Sequence, residues 1–172
     1  MAGKKTVVIG VCGGIAVYKV LEIISKLKKK DINVHVIMTE AATKFVTPLS
    51  FQTMSQNMVC TDMFAEPKAF EIQHISLAKK ADLMLIVPAT ANFLGKAANG
   101  IADDLLTTTV MATKAPVYVA PAMNTNMYDN PAVQENIVKL TCRGYRFINP
   151  ASGRLACGDI GEGKLADTDE IC

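Results

Sequence analysis

Amide side chains are concentrated in one segment, residues 121–131, which reads Pro-Ala-Met-Asn-Thr-Asn-Met-Tyr-Asp-Asn-Pro. Asn124 comes soon after a short apolar run at 117–120 that is typical of a buried strand. The N–H groups of its amide would suit a substrate carboxylate, but asparagine is also a common turn residue. The residues alone leave both interpretations of Asn124 open.

One histidine and one cysteine are candidates for proton transfer. His74 precedes an apolar-periodic stretch at 75–80, where its imidazole could act as an acid or base or simply cap a helix. Cys157 lies in a glycine-rich stretch, which favours a mobile thiol over a packed one. His35 falls inside an apolar run and is more typical of a packed residue.

Glycine and hydroxyl residues follow the first two predicted strands. Gly13 and Gly14 would let backbone N–H groups approach an anion, or would only form a turn. Thr39 offers a hydroxyl to a phosphate, while Glu40 beside it could instead bind a dinucleotide ribose. Because the spacing is not that of the GxGxxG fingerprint, we favour a mononucleotide.

Thr90 and Asn92 follow the third predicted strand, at the start of a predicted helix. They could bind a ligand, but threonine and asparagine are also ordinary N-cap residues. When Thr90 and Asn92 are considered without the rest of the chain, helix capping is the better interpretation of both residues.

The elements that would position these residues alternate along the chain. Strands are predicted at 6–11, 34–38, 83–87, 117–120 and 145–148, and helices at 17–27, 49–54, 75–80, 90–98, 104–112 and 131–140. The apolar strands suit a parallel sheet covered on both faces, so we expect a doubly wound, three-layer α/β fold of Rossmann-like type. The candidate residues then meet at the carboxyl edge of the sheet.

We expect residues 1–172 to form a single domain. Residues 149–163 contain four glycines and one proline, which predicts a flexible flap or loop. Residues 166–172 resemble the capped start of a helix, so we expect the natural protein to be longer than this chain.

Composition excludes several classes of protein. A hydrophobic content of 50% over 172 residues argues against disorder, and a net charge of +2 gives no reason to expect a nucleic-acid partner. The N-terminal apolar run is too short for a signal peptide or a membrane span, which predicts a cytoplasmic protein. Five cysteines without CxxC spacing suggest neither a disulfide framework nor a metal site.

Four segments together resemble the homo-oligomeric flavin-containing cysteine decarboxylases, in matching order and spacing over almost the whole chain. The glycine loop at 13–16 is similar to the family's first flavin loop, and 90–93 falls where its PASANT motif lies. Residues 121–128 follow the PxMNxxMW motif, and 156–158 with the glycines after it resemble the substrate clamp. Thr90, Phe93, Tyr128 and Lys164 depart from the family's usual Ser, Thr, Trp and Arg.

The resemblance implies an FMN-dependent carboxy-lyase that acts on 4'-phosphopantothenoylcysteine in coenzyme A biosynthesis. It implies that Asn124 holds the substrate carboxylate, His74 is the acid/base and Cys157 the final proton donor. It also implies a homotrimer or an assembly of trimers with the flavin between subunits, and a ligase domain fused to some members. The implied flavin-binding positions are Gly13, Gly14, Ile15, Thr39, Thr90, Ala91, Asn92, Phe93 and Ala122.

Other functions remain compatible with the same residues. The alternatives are a peptidyl-cysteine decarboxylase, a flavin prenyltransferase and a non-catalytic regulatory subunit. A prenyltransferase would not need Asn124 and Cys157 as a pair, and a regulatory subunit would need none of the three candidate side chains.

Overall fold

The computed structural model describes residues 3–64 and 72–172, and these ranges contain seven strands and nine helices. The strands are β1 (Thr6–Val11), β2 (Asn33–Met38), β3 (Leu83–Ala89), β4 (Val117–Pro121), β5 (Arg146–Phe147), β6 (Ala151–Arg154) and β7 (Ile160–Lys164). The helices are α1 (Val17–Lys29), α2 (Glu40–Thr43), α3 (Pro48–Ser55), α4 (Gln73–Lys80), α5 (Ala91–Ala98), α6 (Leu105–Ala112), α7 (Thr125–Tyr128), α8 (Pro131–Cys142) and α9 (Thr168–Ile171).

β1 to β5 form a parallel sheet, with the strands in the order β2-β1-β3-β4-β5. Ile9 at the centre of β1 pairs with Val36 on one side and Leu85 on the other. The chain therefore builds outward from β1 to β2 and then returns to β3 on the opposite side of β1. This reversal creates a crevice at the carboxyl ends of β1 and β3, where open α/β sheets bind ligands.

Helices cover both faces of the sheet. In β1, Val8 packs with α4, α5, α6 and α8, whereas Val7, Ile9 and Val11 pack with α1 and α3 on the other face. Successive side chains of a strand point to opposite faces, so a strand covered on both sides is apolar throughout. The predicted doubly wound, three-layer fold is confirmed.

The predicted loop at 149–163 is different in the structure. Instead of an irregular flap, β6 and β7 pair as an antiparallel hairpin, with Ser152 opposite Glu162 and Arg154 opposite Ile160. The glycines that suggested flexibility lie within or beside these strands. The prediction was wrong because the hairpin depends on contacts with a distant part of the chain, described below.

The predicted helix start near the end of the chain is present as α9. Asp167 caps α9 by accepting a hydrogen bond from the Asp169 N–H at 2.8 Å. Lys26 of α1 contacts Asp169 at 2.6 Å and donates to Thr168 Oγ1 at 2.7 Å, so α9 is held against α1. In the part of the chain that the structure describes, no helix is long and apolar enough to cross a membrane.

Candidate active site

A cavity of about 1080 Å³ lies at the carboxyl edge of the sheet, beside the β1/β3 reversal. Its wall comes from the segments that follow β1, β2, β3 and β4 and from the hairpin. The sequence predicted twelve site residues, and eleven of them line this cavity. They are Gly13, Gly14, Ile15, Thr39, Thr90, Ala91, Asn92, Phe93, Ala122, Asn124 and Cys157. The fold thus brings together residues up to 144 positions apart in sequence, between Gly13 and Cys157.

The glycine loop after β1 is packed tightly. A Cβ atom on Gly13 would overlap the methyl group of Ala41 and would lie 2.7 Å from its carbonyl carbon, so only glycine fits there. Ala16, the N-cap residue of α1, has no side chain that can accept from the N–H groups of the first turn. The Val17 and Lys19 N–H groups donate to the Gly14 and Ala16 carbonyls at 3.0 Å, so it is the positive end of the α1 dipole that would favour an anion at this end of the cavity.

Both candidate threonines act as helix caps. Thr39 Oγ1 accepts from the Ala42 N–H at 3.2 Å at the start of α2, and Thr90 Oγ1 accepts from the Phe93 N–H at 3.3 Å at the start of α5. A capping hydroxyl still has its own proton to donate. The capping and ligand-binding interpretations of these residues are therefore compatible.

The start of α5 contributes an exposed polar residue and a buried aromatic residue to the cavity wall. Asn92 is exposed, whereas the Phe93 ring is only 3% exposed and packs in the core. Gly14 lies beside Thr90, because a Cβ on Gly14 would be 4.0 Å from Thr90 Cγ2. The loops after β1 and β3 consequently form one continuous wall.

Asn124 and Cys157 meet through a third residue, Asp159. Asn124 Oδ1 accepts from the Asn126 N–H at 2.9 Å and caps α7, which directs Nδ2 of the same amide toward the hairpin. Nδ2 lies 2.9 Å from Asp159 Oδ2 and 3.5 Å from Cys157 Sγ. The thiol in turn donates to Asp159 Oδ2 at 3.3 Å.

Asp159 is a site residue that the sequence reasoning did not identify. Its position two residues after Cys157, in the same glycine-rich stretch, was the available signal. Its carboxylate shows that the Asn124 amide can bind a carboxylate group at this place in the cavity. Cys157 itself is exposed, in a turn closed by hydrogen bonds between Leu155 and both Asp159 and Gly158.

The hairpin is attached to the loop after β4. The Met123 N–H donates to the Gly163 carbonyl at 2.9 Å, next to Asn124. Gly163 has a φ of +130°, and a Cβ there would overlap the Met123 carbonyl oxygen. These contacts fix the position of the strand that leads back to Cys157.

His74 is the one candidate that does not line this cavity. It is half-buried in the first turn of α4, a helix that packs against α6. Because α4 runs back along the sheet before β3, its first turn lies near the edge where the cavity opens. Within one chain, His74 is thus not among the residues that line the cavity with Cys157.

Charged and thiol groups also contribute to the cavity wall. Lys96 lies 2.8 Å from Asp103 and 3.5 Å from Asp104, and the hydrogen bond to Asp103 raises its pKa above the ordinary value. Burial raises the pKa of Cys12 to about 12, so this thiol is neutral at physiological pH. In residues 3–64 and 72–172, no group of three or more His, Cys, Asp or Glu side chains could hold a metal ion.

Comparison with known sequences gives two informative relatives. The chain is 53% identical over 171 residues to the coenzyme A biosynthesis bifunctional protein CoaBC of Bacillus subtilis, covering 99% of this chain and 42% of that protein. It is 45% identical over 169 residues to a probable phosphopantothenoylcysteine decarboxylase of Streptococcus mutans, covering 97% of this chain and 94% of that protein. The chain thus spans less than half the length of the bifunctional relative.

Solved structures show the same architecture. A cysteine-to-serine mutant of PPC decarboxylase complexed with pantothenoylaminoethenethiol matches with a TM-score of 0.87 at 31% identity, covering 98% of this chain and 94% of that one. The FMN-dependent cysteine decarboxylase SpaF matches with a TM-score of 0.85 at 34% identity, covering 97% of this chain and 92% of that one. The model of the flavoprotein family matches residues 1–172. The chain therefore belongs to the flavoprotein family.

Proposed function

We propose that this domain is an FMN-dependent decarboxylase that converts 4'-phosphopantothenoylcysteine to 4'-phosphopantetheine in coenzyme A biosynthesis. The observation that carries the proposal is the placement of Asn124 Nδ2 3.5 Å from Cys157 Sγ on the wall of a large cavity at the β1/β3 reversal. The relatives from Streptococcus mutans and Bacillus subtilis support the substrate and the pathway.

The cavity fits FMN. The glycine loop and the uncapped first turn of α1 would take the phosphate, while Thr39, Thr90 and Asn92 offer hydroxyl and amide donors along the wall. The remaining predicted positions are small or apolar and suit a flat ring system. Bound FMN would supply reversible hydride acceptance, for which no side chain of this chain is equipped.

The side chains near the hairpin have separate roles in this proposal. Asn124 Nδ2 donates to the substrate carboxylate, replacing its bond to Asp159, and so orients the bond to be broken. After CO₂ has left, reduction of the enethiol product would need a hydride, which the reduced flavin would supply, and a proton, which the Cys157 thiol donates. The PPC decarboxylase complex supports this order, because its ligand is an ethenethiol and its mutated residue is a cysteine.

We further propose that His74 acts in the cavity of a neighbouring subunit. It lies outside the cavity of its own chain, near the same edge of the sheet, and an interfacial site in a homotrimer would bring it to a second copy. In that arrangement it would carry out the early proton transfers from the substrate thiol. We also propose that the protein is cytoplasmic and that a ligase domain is fused to this one.

The alternative activities are less well supported by the site. A prenyltransferase has no need for an amide and a thiol held together, and a regulatory subunit would not need the Asn124, Cys157 and Asp159 cluster. A peptidyl-cysteine decarboxylase would use the same cluster on a larger substrate.

The test is to load the purified protein with FMN, remove unbound flavin and incubate it with phosphopantothenoylcysteine or with a peptide that ends in cysteine. We expect bound flavin absorbance, CO₂ release and the mass of 4'-phosphopantetheine with the first substrate, and much slower turnover of the peptide. A protein that binds no flavin, or that decarboxylates only the peptide, would overturn the assignment.

A further inference from the structure

The proton balance of the proposed reaction makes a demand on Cys157 that its thiol does not meet alone. Replacing the carboxyl group of the substrate by hydrogen releases CO₂ and consumes one proton in each turnover. In the proposed function that proton comes from Cys157, which is left as a thiolate. Cys157 must therefore recover a proton from solvent before the next turnover.

Two side chains are hydrogen-bonded to the Cys157 sulfur in the part of the chain that the structure describes. Asn124 Nδ2 lies 3.5 Å from Sγ, and Sγ donates to Asp159 Oδ2 at 3.3 Å. An amide does not exchange protons as an acid at neutral pH, whereas a carboxylate accepts a proton and passes it on. Of these two partners, Asp159 is the one that can return a proton to the sulfur.

Asp159 connects Cys157 with solvent. Cys157 and Asn124 line the cavity, while Asp159 is exposed and is not among the residues of the cavity wall. Within the described ranges, 3–64 and 72–172, its carboxylate has no ion-pair partner. The Leu155 N–H donates to the Asp159 carbonyl at 2.8 Å, so the turn that carries the thiol also fixes the carboxylate beside it.

Substrate binding would leave the contact between the thiol and the carboxylate in place. Asn124 Nδ2 lies 2.9 Å from Asp159 Oδ2, but in the proposed function it donates instead to the substrate carboxylate. The same Oδ2 atom then keeps Cys157 Sγ as its side-chain partner. The pair that persists during turnover is therefore Cys157 and Asp159.

We propose that Asp159 is a proton relay that returns one solvent proton to Cys157 in each turnover. This inference rests on the proposed decarboxylase function. After the thiol has given its proton to the substrate carbon, an Asp159 carboxyl group protonated from solvent transfers that proton from Oδ2 to the Sγ thiolate and is a carboxylate again. A carboxylic acid is a much stronger acid than a thiol, so the transfer is downhill. Asp159 contacts no reacting atom and acts through Cys157, as a positioning residue.

Rapid-mixing kinetics of the flavin-loaded Asp159→Asn variant test the relay. The amide oxygen can still accept from the thiol, but the side chain cannot deliver a proton to the thiolate. We expect the first 4'-phosphopantetheine per site to form at the wild-type rate, because Cys157 starts as a thiol, and later turnovers to be about 10-fold or more slower. A first turnover as slow as the later ones would show lost positioning of Cys157 alone and would overturn the relay.

Chemical rescue and a matched control accompany this measurement. Formate buffer should restore the later turnovers of Asp159→Ala, since a small carboxylic acid can replace the missing side chain; no restoration would contradict the relay. Glu162→Gln removes the same charge from the same hairpin, at an exposed residue that pairs with Ser152 and lies outside the cavity wall. The control should turn over repeatedly at the wild-type rate, and an Asp159→Asn profile identical to it would overturn the relay.

The infrared S–H stretching band of the flavin-loaded protein gives a readout that needs no turnover. A thiol that donates to a carboxylate makes a stronger hydrogen bond than one that donates to a neutral group. Asp159→Ala should therefore shift to higher frequency the one S–H band that Cys157→Ser removes, and an unshifted band would overturn the relay. Absence of CO₂ release by the wild type would overturn the decarboxylase proposal, whereas normal repeated turnover by Asp159→Asn would overturn only the relay.

Discussion

At the scale of single residues, Asn124 uses the two ends of its amide differently. The oxygen caps α7 through the Asn126 N–H, and the nitrogen donates toward Asp159 and Cys157. The sequence suggested either a turn residue or a carboxylate ligand, and the structure shows that one side chain can serve both purposes. Asp159 could not be foreseen in the same way, because its contact with Asn124 depends on how the hairpin docks.

Replacing Asn124 by aspartate tests its role as a donor. The variant can still accept the capping bond from Asn126, so we expect the fold and the bound flavin to be retained. It loses the Nδ2 donor and places a carboxylate against the substrate carboxylate, so kcat/KM should fall by about 100-fold or more. Asn126→Asp adds the same charge to the same helix and should have a much smaller effect; equal losses would remove Asn124 from the site.

Cys157→Ser should separate decarboxylation from the final protonation. A hydroxyl of similar size is a far weaker acid than a thiol, so the variant should release CO₂ but fail to protonate the enethiol. Mass spectrometry should then find a product two hydrogens lighter than 4'-phosphopantetheine. Cys142→Ser, at an exposed cysteine at the end of α8, is the control. Normal product from the Cys157 variant at a normal rate would show that another group is the acid.

At the scale of elements, the sheet and its helices follow from patterns that the sequence contains locally. The apolar runs of β1, β2, β3 and β4 were predicted to within one or two residues, because strands buried on both faces are apolar at nearly every position. The hairpin was missed, since its glycines look like a loop when their neighbours are unknown. Gly161 and Gly163 are required where β7 lies against Thr125 and the Met123 carbonyl.

Gly163→Ala should detach the hairpin from the loop after β4. The added methyl group meets the Met123 oxygen and the backbone is in a conformation unfavourable to alanine, at a local cost of about 1–3 kcal/mol. We expect faster hydrogen exchange at the Met123 N–H and lower kcat/KM, with flavin binding retained. Gly158→Ala has a similar positive φ of +96° but open space around its Cβ, so its effect should be smaller. Unchanged exchange at Met123 in the Gly163 variant would contradict this role.

At the scale of the whole molecule, the position of His74 is the strongest reason to expect an assembly. Ten of the residues assigned to cofactor and substrate, together with Cys157, line one cavity of the single chain, and His74 does not. Sequence motifs could identify His74 as a candidate but could not say which copy of the chain it serves. That information lies in the contacts between subunits.

Subunit complementation tests the shared site. We expect His74→Asn and Cys157→Ser each to lack full turnover as separate proteins. Mixed and reassembled, they should recover 4'-phosphopantetheine formation, because a random trimer pairs an intact His74 of one subunit with an intact Cys157 of another in roughly a quarter of its sites. No recovery from mixed assemblies that retain flavin would place His74 and Cys157 in the same chain's site, or His74 outside the reaction.

The central claim is that this domain decarboxylates phosphopantothenoylcysteine with FMN as a recycled cofactor. The most direct measurement is anaerobic turnover of substrate labelled in its cysteine carboxyl group, in large excess over the FMN-loaded protein. The account predicts labelled CO₂ and 4'-phosphopantetheine in equal amounts over many turnovers without any added oxidant or reductant, and no release from the flavin-free protein. Release of CO₂ without FMN, or a reaction that stops after one turnover per flavin, would contradict it.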